Sequence, residues 1–314
     1  MGFSSEGATF TAQTARTRCR GPLLPFRRHL TAKVRPAALQ SLASGERLDD
    51  RAPNPEDAFY ASAPSSTVSD FSGAQREPAD NQPRLRVVTY NVHSCIGLDR
   101  KLRPDRIADI LRHIDPDVIA LEEVRAEQTK EIGERLGYHV FFAHADVVHG
   151  FDFGNAILTR FEIRATHLYP IGVPHREQRA CARADIFWPA GNQTIHVFAV
   201  HLGLDAKERR FQAERLASSE ILADPSIQGE PRILLGDFNE KFNRQDVNHA
   251  IKPLLRLAGS RSWPAFLPII DLDRVYYSGD FQKDLVHISQ SDGAMIASDH
   301  APLVAVLEKT AVLR

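Results

Sequence analysis

The chain has 314 residues, and its 39 Lys and Arg against 40 Asp and Glu give a formal net charge of −1. This balance excludes a strongly basic chromatin-like protein and a strongly acidic tail protein. Hydrophobic residues make up 43% and charged residues 25%, ordinary values for a globular protein, and no apolar run approaches the ~20 residues of a transmembrane helix.

Residues 1–83 differ in composition from the rest of the chain. They hold eight of the 19 prolines and show no sustained apolar period. Residues 1–47 include eight basic and two acidic side chains, whereas residues 48–80 include seven acidic and two basic ones. Such a segment buries too little apolar surface to offset the entropy lost on ordering, so we predict a disordered N-terminal extension.

The first half of this extension is rich in Arg, contains Ser and Thr and is poor in acids, which is typical of organellar transit peptides. It has no clean amphipathic face, which favours instead a linker, a functionless extension or a misannotated start. The three cysteines, Cys19, Cys95 and Cys181, form no CxxC pair, so a disulfide scaffold and a thiolate zinc ribbon are excluded. We expect a cytoplasmic protein, or an organelle-targeted one if residues 1–83 are a transit peptide.

Residues 84–314 are predicted to be the folded domain, with 29 basic and 31 acidic residues. Apolar runs and alternation predict strands at 85–90, 118–121, 138–143, 155–159, 182–188, 194–201, 232–235, 271–277, 285–289 and 302–307. Helical spacing and capping signals predict helices from Pro104 to 114, over 128–136, from Asp205 to about 222, and over 246–258. Many short strands with few helices indicate an α+β or mixed α/β sandwich.

Several predicted strands end on acids, amides or histidines. The residues concerned are Asn91, His93, Glu122, Glu123, His201, Asp237 and Asn239, with Asp299 and His300 just before the last strand. Packed strands bring such ends to one rim, and an oxygen-rich rim without thiolates favours Mg²⁺ or Mn²⁺ over zinc. Because Mg²⁺ bridges to phosphate oxygens, a phosphoryl substrate is the natural partner.

Seven short motifs contain most of these residues. They are T-Y-N-V-H (89–93), A-L-E-E-V (120–124), G-N-A-I-L-T-R (154–160), V-H-L-G-L (200–204), L-L-G-D-F-N (234–239), L-D-R-V (272–275) and S-D-H-A-P-L (298–303). In this order they resemble the endonuclease/exonuclease/phosphatase superfamily over about residues 85–307. The resemblance implies an α/β, four-layer sandwich of two mixed β-sheets flanked by helices (DNase I-like). It also implies metal-dependent cleavage of a phosphoester at one end of the sheets.

The resemblance implies a metal held by Glu123, Asn91 and Asp299. The family usually has L-Q-E-V where this chain has L-E-E-V, so two adjacent acids compete for the ligand position. We expect the ligand to be Glu123, because period-2 alternation along a strand points Glu122 to the other face. Glu122 is then expected to support the site from behind or to form a salt bridge.

The resemblance also implies the catalytic residues. Asp237 is expected to orient or deprotonate the attacking water, and Asn239 to donate to a phosphate oxygen. His300 is expected to contact the scissile phosphate while Asp273 orients its ring. His201 aligns with a residue that contacts the phosphate or the leaving group.

Three further residues are candidates for substrate binding. Asn155 is a structural or substrate-edge amide, and Arg179 is either a phosphate clamp or an exposed arginine. His93 stands where nucleases of the family often carry Asp, and a local hydrogen bond is as good an interpretation as a ligand role.

The substrate class is less constrained than the chemistry. The near-neutral domain lacks a dense basic track, which argues against a nuclease. The stretch S-W-P-A-F-L-P (262–268) is similar to a bacterial, lipid-linked branch of the superfamily. We therefore expect a phosphodiesterase acting on a lipid headgroup or a small phosphodiester, with a DNA or RNA nuclease as the alternative. An inactive binding protein on the same fold is disfavoured, because the acid, amide and histidine set is complete.

Overall fold

In the computed structural model of the chain, residues 82–241, 246–260, 262–279 and 281–310 are described. The strands are β1 (Arg84–Asn91), β2 (Val118–Arg125), β3 (His139–Val148), β4 (Phe151–Thr159), β5 (Ile163–Pro170), β6 (Ala180–Trp188), β7 (Gln193–His201), β8 (Arg232–Asp237), β9 (Arg256–Ser260), β10 (Asp273–Tyr277), β11 (Phe281–Ile288) and β12 (Leu303–Lys309). The helices are α1 (Pro104–Ile114), α2 (Ala126–Leu136), α3 (Ala206–Leu216), α4 (Asp246–Ile251) and α5 (Asp292–Ala297). Most of the predicted extension, residues 1–81 with Cys19, lies outside the described residues.

The strands form two six-stranded mixed sheets. The strand order is β11-β12-β1-β2-β4-β3 in the first sheet and β5-β6-β7-β8-β10-β9 in the second. Each sheet contains one parallel pair, β1 with β2 and β7 with β8. A helix crosses between the strands of each pair, α1 in the first sheet and α3 in the second, as a parallel connection requires. The other neighbouring strands are antiparallel.

Strand alternation divides the apolar side chains among three cores. One core lies between the sheets and includes Val87 of β1 and Leu235 of β8. The next residue of β1, Val88, faces the helices of the first sheet, and Leu234 of β8 faces those of the second. The result is the predicted sandwich of two sheets flanked by helices. None of the helices in the described part of the chain is long and apolar enough to span a membrane.

Helix α1 illustrates why the sequence encodes these elements. Pro104 occupies the start of the helix, where its missing N–H costs nothing, and Asp115 ends it with a left-handed φ of 52°. Between them Ile107, Leu111 and Ile114 recur at helical spacing and are buried against the first sheet. Asp205 caps α3 as predicted, because its side chain accepts hydrogen bonds from the backbone N–H groups of the first turn.

Some elements differ from the sequence prediction. The helix predicted over 246–258 was wrong beyond Ile251, because residues 256–260 pair with β10 as edge strand β9. The helix predicted to reach 222 ends at Leu216. Strand β5 and helix α5 were not predicted. Strand β5 lies at the edge of its sheet and is mostly exposed, so it lacks the apolar pattern by which strands are recognised.

Candidate active site

Polar residues from both sheets meet at one end of the sandwich. The parallel pairs end there, because Asn91 lies at the end of β1, Glu122 and Glu123 near the end of β2, His201 at the end of β7 and Asp237 at the end of β8. Two elements start at the same end: β10 begins with Asp273, opposite Asp237, and β12 follows Asp299 and His300. Mixed strand direction therefore concentrates the predicted site residues on one rim.

Asn91 joins the two sheets at the centre of this rim. Its Nδ2 lies 3.1 Å from Oε1 of Glu123 and 3.1 Å from Oδ2 of Asp237, so one amide donates to two carboxylates. Its Oδ1 accepts from the backbone N–H of His93 at 3.1 Å. Neutral Asn can hold both acids together without adding a charge, which leaves their negative charge available to a cation.

The two adjacent acids of β2 both lie near the site, and they point to different sides of the strand. Glu122 points between the sheets, where it is fully buried and accepts from Thr89 Oγ1 at 2.9 Å. Strand β2 is irregular between Leu121 and Val124, and Glu123 has a left-handed φ of 53°. This irregularity turns Glu123 onto the rim beside Asn91, which strict alternation could not reveal.

Glu122 is a fully buried acid beneath the site. Burial, followed by the charge of Asp273, raises its pKa well above the usual range, although the hydrogen bond from Thr89 opposes the shift. Its Oε2 is buried without a hydrogen-bond partner. Of the two expected roles of Glu122, the supporting position agrees with this geometry, since its hydrogen-bond partner is the hydroxyl of Thr89.

His300 and Asp273 form a buried ionic contact of the rim. Nδ1 of His300 lies 2.8 Å from Oδ2 of Asp273, and the hydroxyl of Ser262 donates to the same oxygen. Nε2 of His300 faces Asp237, with 3.8 Å to Oδ2. Burial alone would lower the pKa of His300, but Asp273, helped by Asp237 and Asp299, raises it to about 10. His300 is therefore an imidazolium at neutral pH.

Asp237 is a buried acid at the centre of the site. Its Oδ1 accepts from the backbone N–H of Asn239 at 2.8 Å, which closes the G-D-F-N turn, and its Oδ2 faces Asn91. Burial and the charge of Asp273 raise its pKa to about 6, against the opposing influence of His300. A carboxyl with such a pKa can exchange a proton near neutral pH.

Gly236 brings this turn close to strand β7. It has a φ of 149°, and a Cβ at this position would lie 1.9 Å from the carbonyl oxygen of Val200. Only glycine fits, so the L-L-G-D-F-N motif encodes the close approach that sets Asp237 beside His201 in the parallel register.

His201 is a buried, neutral imidazole. Burial, with the positive charges of Arg179 and His300, holds the pKa of His201 well below its usual range. Arg179 Nη1 lies 2.9 Å from Nδ1, and Asn239 Nδ2 lies 3.0 Å from Nε2. Both neighbours approach the ring with N–H donors, and a neutral ring accepts at one nitrogen only, so each tautomer satisfies one of the two contacts. Nε2 also lies 3.7 Å from Asp237 and 3.8 Å from Glu123.

Arg179 therefore contacts His201 and is not an exposed arginine. Its other terminal nitrogen lies 2.6 Å from Glu177 Oε2, and its side chain is only 10% exposed. Asn155 does not join the central cluster: it is buried and donates to the carbonyl of Ala180 at 3.2 Å. Asn155, Arg179 and His201 line a cleft beside the rim.

Asp299 and His93 form the outer edge of the rim. Nδ1 of His93 lies 3.5 Å from Oδ1 of Asp299, whose side chain is 40% exposed, and Trp263 Nε1 donates to Oδ2 at 3.4 Å. Burial would raise the pKa of Asp299, but the hydrogen bond with His93 and the charge of His300 lower it to about 2. His93 therefore contacts a rim acid.

Two supporting groups were missed from the sequence. Ser262, the first residue of the S-W-P-A-F-L-P stretch, is fully buried and donates to Asp273, a role that the stretch did not indicate. Arg274 and Glu240, the residues that follow Asp273 and Asn239, form a buried ion pair at 2.6 Å. The one sequence signal for this pair is the charge of each residue directly after a predicted site residue, in the D-R and N-E dipeptides. That signal could have indicated a pair that holds the two turns together.

The donor set suits a divalent cation. Carboxylate oxygens of Glu123, Asp237 and Asp299 share the rim, and Oδ1 of Asp273 is buried without a hydrogen-bond partner. Ligand atoms of Asp237, Asp273 and His300 lie within 4.8 Å of one another. His300 is protonated and engaged by Asp273, so it is a poor ligand, and the carboxylates are the better donors.

The comparison with known families identifies the chain. The family model described as "Endonuclease/Exonuclease/phosphatase family" matches residues 88–300. The chain belongs to this family. YbhP of Escherichia coli K12 is 27% identical over 246 residues, covering 70% of this chain and 95% of YbhP. An exodeoxyribonuclease of Bacillus subtilis is 26% identical over 165 residues, covering 52% of this chain and 62% of that enzyme.

Solved structures of the family share the fold. An endonuclease/exonuclease/phosphatase from Beutenbergia cavernae has a TM-score of 0.63 at 21% identity, and 72% of each chain is covered. The predicted family and the predicted DNase I-like sandwich of two mixed sheets are therefore confirmed. Members of the family generally hydrolyse phosphoesters, and the rim described above lies within the matched residues.

Proposed function

We propose that the protein is a divalent-metal-dependent phosphodiesterase that hydrolyses a lipid headgroup or another small phosphodiester. The observation that carries the proposal is the buried Asp237, His300 and Asp273 cluster, in which an acid with a pKa of about 6 faces an imidazolium. Paired groups of opposite protonation state are what general acid–base chemistry on a phosphoester requires.

Glu123, Asn91 and Asp299 would hold Mg²⁺, with Mn²⁺ as the alternative. A bound divalent ion would supply charge neutralisation at the phosphoryl and leaving oxygens. The oxygen-rich donor set supports this choice over zinc, because thiolates are absent from the described rim. His93 lies 3.5 Å from Asp299 and would hold this acid in position at the edge that faces the substrate.

The remaining residues would act on the substrate directly. Asp237 would orient water and accept its proton, because its pKa lies near the working pH. The Nε2–H of His300 and the side-chain amide of Asn239 would donate to phosphoryl oxygens. His201 would present its Nε2–H to the phosphate or leaving group, while Arg179 fixes the orientation of the ring. Asn155 would shape the substrate edge from the neighbouring cleft.

The charge of the domain favours a small or lipid-linked diester over a nucleic acid. The predicted domain carries 29 basic and 31 acidic residues, so it has little electrostatic attraction for a polyanion. A nuclease is the second candidate, because the matched Bacillus subtilis relative is an exodeoxyribonuclease. Membrane lipid and nucleic acid are therefore the two partner classes to compare.

The decisive experiment is hydrolysis of bis(p-nitrophenyl) phosphate by the full chain with Mg²⁺ or Mn²⁺, followed by a panel of phospholipid, DNA and RNA substrates. Asp237→Asn should abolish turnover of the generic diester, and Glu162→Gln, an exposed acid on the turn before β5, is the matched control. Full activity after exhaustive chelation would refute the metal requirement. Absence of turnover for every diester would favour a binding protein on this fold.

A further inference from the structure

A short loop beside the rim exposes several large apolar side chains. The loop, residues 263–270, joins β9 to β10 and reads W-P-A-F-L-P-I-I. At its tip Phe266 is 66%, Leu267 55% and Ile269 65% exposed. Single exposed apolar residues are common on protein surfaces, but three of them on one eight-residue loop form a patch that needs an explanation.

The loop has a defined shape that keeps this patch in place. Its base is closed by hydrogen bonds between the backbones of Trp263 and Ile270, at 3.0 and 3.4 Å, and Leu267 N donates to Pro264 O at 2.9 Å. Pro264 and Pro268 restrict the backbone further. The apolar side chains are therefore held outward by the loop itself.

The loop is attached directly to the rim. Ala265 N donates to the backbone oxygen of Asp299 at 2.8 Å, and Trp263 Nε1 donates to the carboxylate of Asp299 at 3.4 Å. Ser262, which precedes the loop, donates to Asp273. The exposed tip consequently stands next to the mouth of the site, and whatever covers the tip lies close to the rim acids.

The base of the loop has the polar character of a membrane–water interface. Trp263 is half-buried there, and Lys241 Nζ lies 5.3 Å from the centre of its ring. Trp is enriched at the level of lipid headgroups, with its ring apolar and its N–H able to bond, and a lysine at the same level suits headgroup phosphates. In the sequence, the apolar tip follows both of these residues.

We propose that the loop formed by residues 263–270 docks the protein on a lipid bilayer, with Phe266, Leu267 and Ile269 inserted among the headgroups and upper acyl chains. This deepens the proposed function and rests on it for the substrate, because docking brings a lipid phosphodiester to the rim at Asp299. Binding follows from the apolar area buried, with a smaller electrostatic contribution from Lys241.

The size of the patch argues against a second copy of the chain as occupant. Three side chains offer a few hundred Å² at most, whereas a stable protein interface buries ~800 Å² on each partner. A bilayer has no such minimum, because a few inserted apolar side chains suffice for reversible association.

The test uses the full chain with vesicles of phosphatidylcholine alone and of phosphatidylethanolamine with phosphatidylglycerol. EDTA is present so that turnover cannot alter the vesicles. The double variant Phe266→Ser/Ile269→Ser should co-float at least about tenfold less than the wild type, since two apolar insertions are lost. Leu285→Ser on edge strand β11, which is 50% exposed, is the matched control and should bind like the wild type. Phe266→Trp should retain binding and shift its fluorescence to shorter wavelength on vesicles.

Each outcome distinguishes docking from catalysis. Binding to both vesicle types that persists in high salt, with unchanged hydrolysis of a water-soluble diester by the double variant, supports the proposal. It is overturned if the wild type does not float, if the double variant floats equally well, or if the loop variant merely converts a dimer to a monomer. Docking without hydrolysis of any diester would refute the proposed function and leave the docking intact. Hydrolysis of the soluble diester without docking would refute the docking and leave the proposed function intact.

Discussion

Asp273 receives two hydrogen bonds on one oxygen, and the more informative one comes from His300. Nδ1 of His300 lies 2.8 Å from Oδ2 of Asp273, and the two residues are 5% and 0% exposed. The carboxylate fixes the ring so that Nε2 faces Asp237, and it stabilises the positive charge of that ring. Orientation and charge of His300 therefore depend on the same partner.

We predict that the losses caused by His300→Ala and Asp273→Asn are non-additive. His300→Ala should lower kcat by roughly 10²–10⁴-fold, the range for a positioned proton-transfer group. Adding Asp273→Asn should cost little more, because a residue that acts through His300 has nothing left to orient. The measurement is a double-mutant cycle on kcat with a generic phosphodiester. Losses that multiply would show that Asp273 acts independently of His300.

The same pair predicts a pH dependence of stability in the metal-free protein. The pKa of His300 is raised from 6.5 to about 10, so the folded state binds more protons between these values. Its contribution to the free energy of unfolding is fully present below about pH 6.5 and is lost as pH rises through about 10. Denaturant unfolding in EDTA should therefore show the wild type losing over ~1 kcal/mol more than His300→Gln across this window. Parallel curves for the two proteins would mean that His300 is not charged in the fold.

The two adjacent acids of β2 should respond differently to amide substitution. Glu123→Gln should lower kcat/KM at least about 100-fold and raise the Mg²⁺ concentration needed for activity, since it removes a charged rim donor. Glu122→Gln should stay within about tenfold of the wild type, because burial raises the pKa of this acid and so favours its uncharged form, which an amide of the same shape mimics. Metal titrations of activity for the two variants make the comparison.

Glu122→Gln serves as the matched control for Glu123→Gln, since both changes remove one carboxylate from consecutive positions of one strand. Melting curves of both variants in EDTA would separate loss of metal from loss of fold. The reverse order of sensitivity would assign the metal to Glu122 and make Glu123 a rim residue without that role.

The irregularity of β2 also marks the limit of what the sequence could predict. Apolar runs that end on polar residues predicted a mixed α/β sandwich and the convergence of Asn91, Asp237 and His300 on one rim, whereas the two-sheet DNase I-like arrangement was implied by the resemblance of the ordered motifs to the family. Alternation separated Glu122 from Glu123, but it could not reveal the register shift between Leu121 and Val124 that turns Glu123 onto the rim, because this shift has no sequence signal of its own. Local pattern rules assume regular strands, and functional rims are where strands depart from regularity.

Long-range partners were harder still to predict. Ser262 reaches Asp273 from a loop eleven residues earlier, and Arg179 reaches His201 across two strands. In the sequence, a serine or an arginine that the fold buries cannot be told from one on the surface, because the tertiary fold determines which side chains are buried. The edge strands β5 and β9 were missed or misassigned for the same reason: an edge strand has few buried neighbours to impose a pattern.

The domain boundary gives a further prediction. The first strand begins at Arg84, and the extension 1–83 has the composition of a chain that does not pack a core. A protein starting at residue 84 should retain a cooperative thermal melt and the phosphodiesterase activity of the full chain. Calorimetry and turnover of a generic diester on both proteins test this. Loss of the cooperative melt on truncation would make the extension part of the fold.

The affinity for duplex DNA decides between the two substrate classes. A near-neutral domain should neutralise few phosphates, and log K falls with log salt at about −0.9 for each phosphate neutralised. We therefore expect weak binding with a slope no steeper than about −2, measured by fluorescence anisotropy on a labelled duplex in EDTA so that the probe stays intact. Charge reversal at Lys130 on α2, an exposed residue paired with Glu134, is a control for nonspecific attraction. A slope near −5, equivalent to six contacts, would show a phosphate track that the sequence does not reveal. That result would favour the nuclease and remove the electrostatic argument for a small or lipid-linked diester.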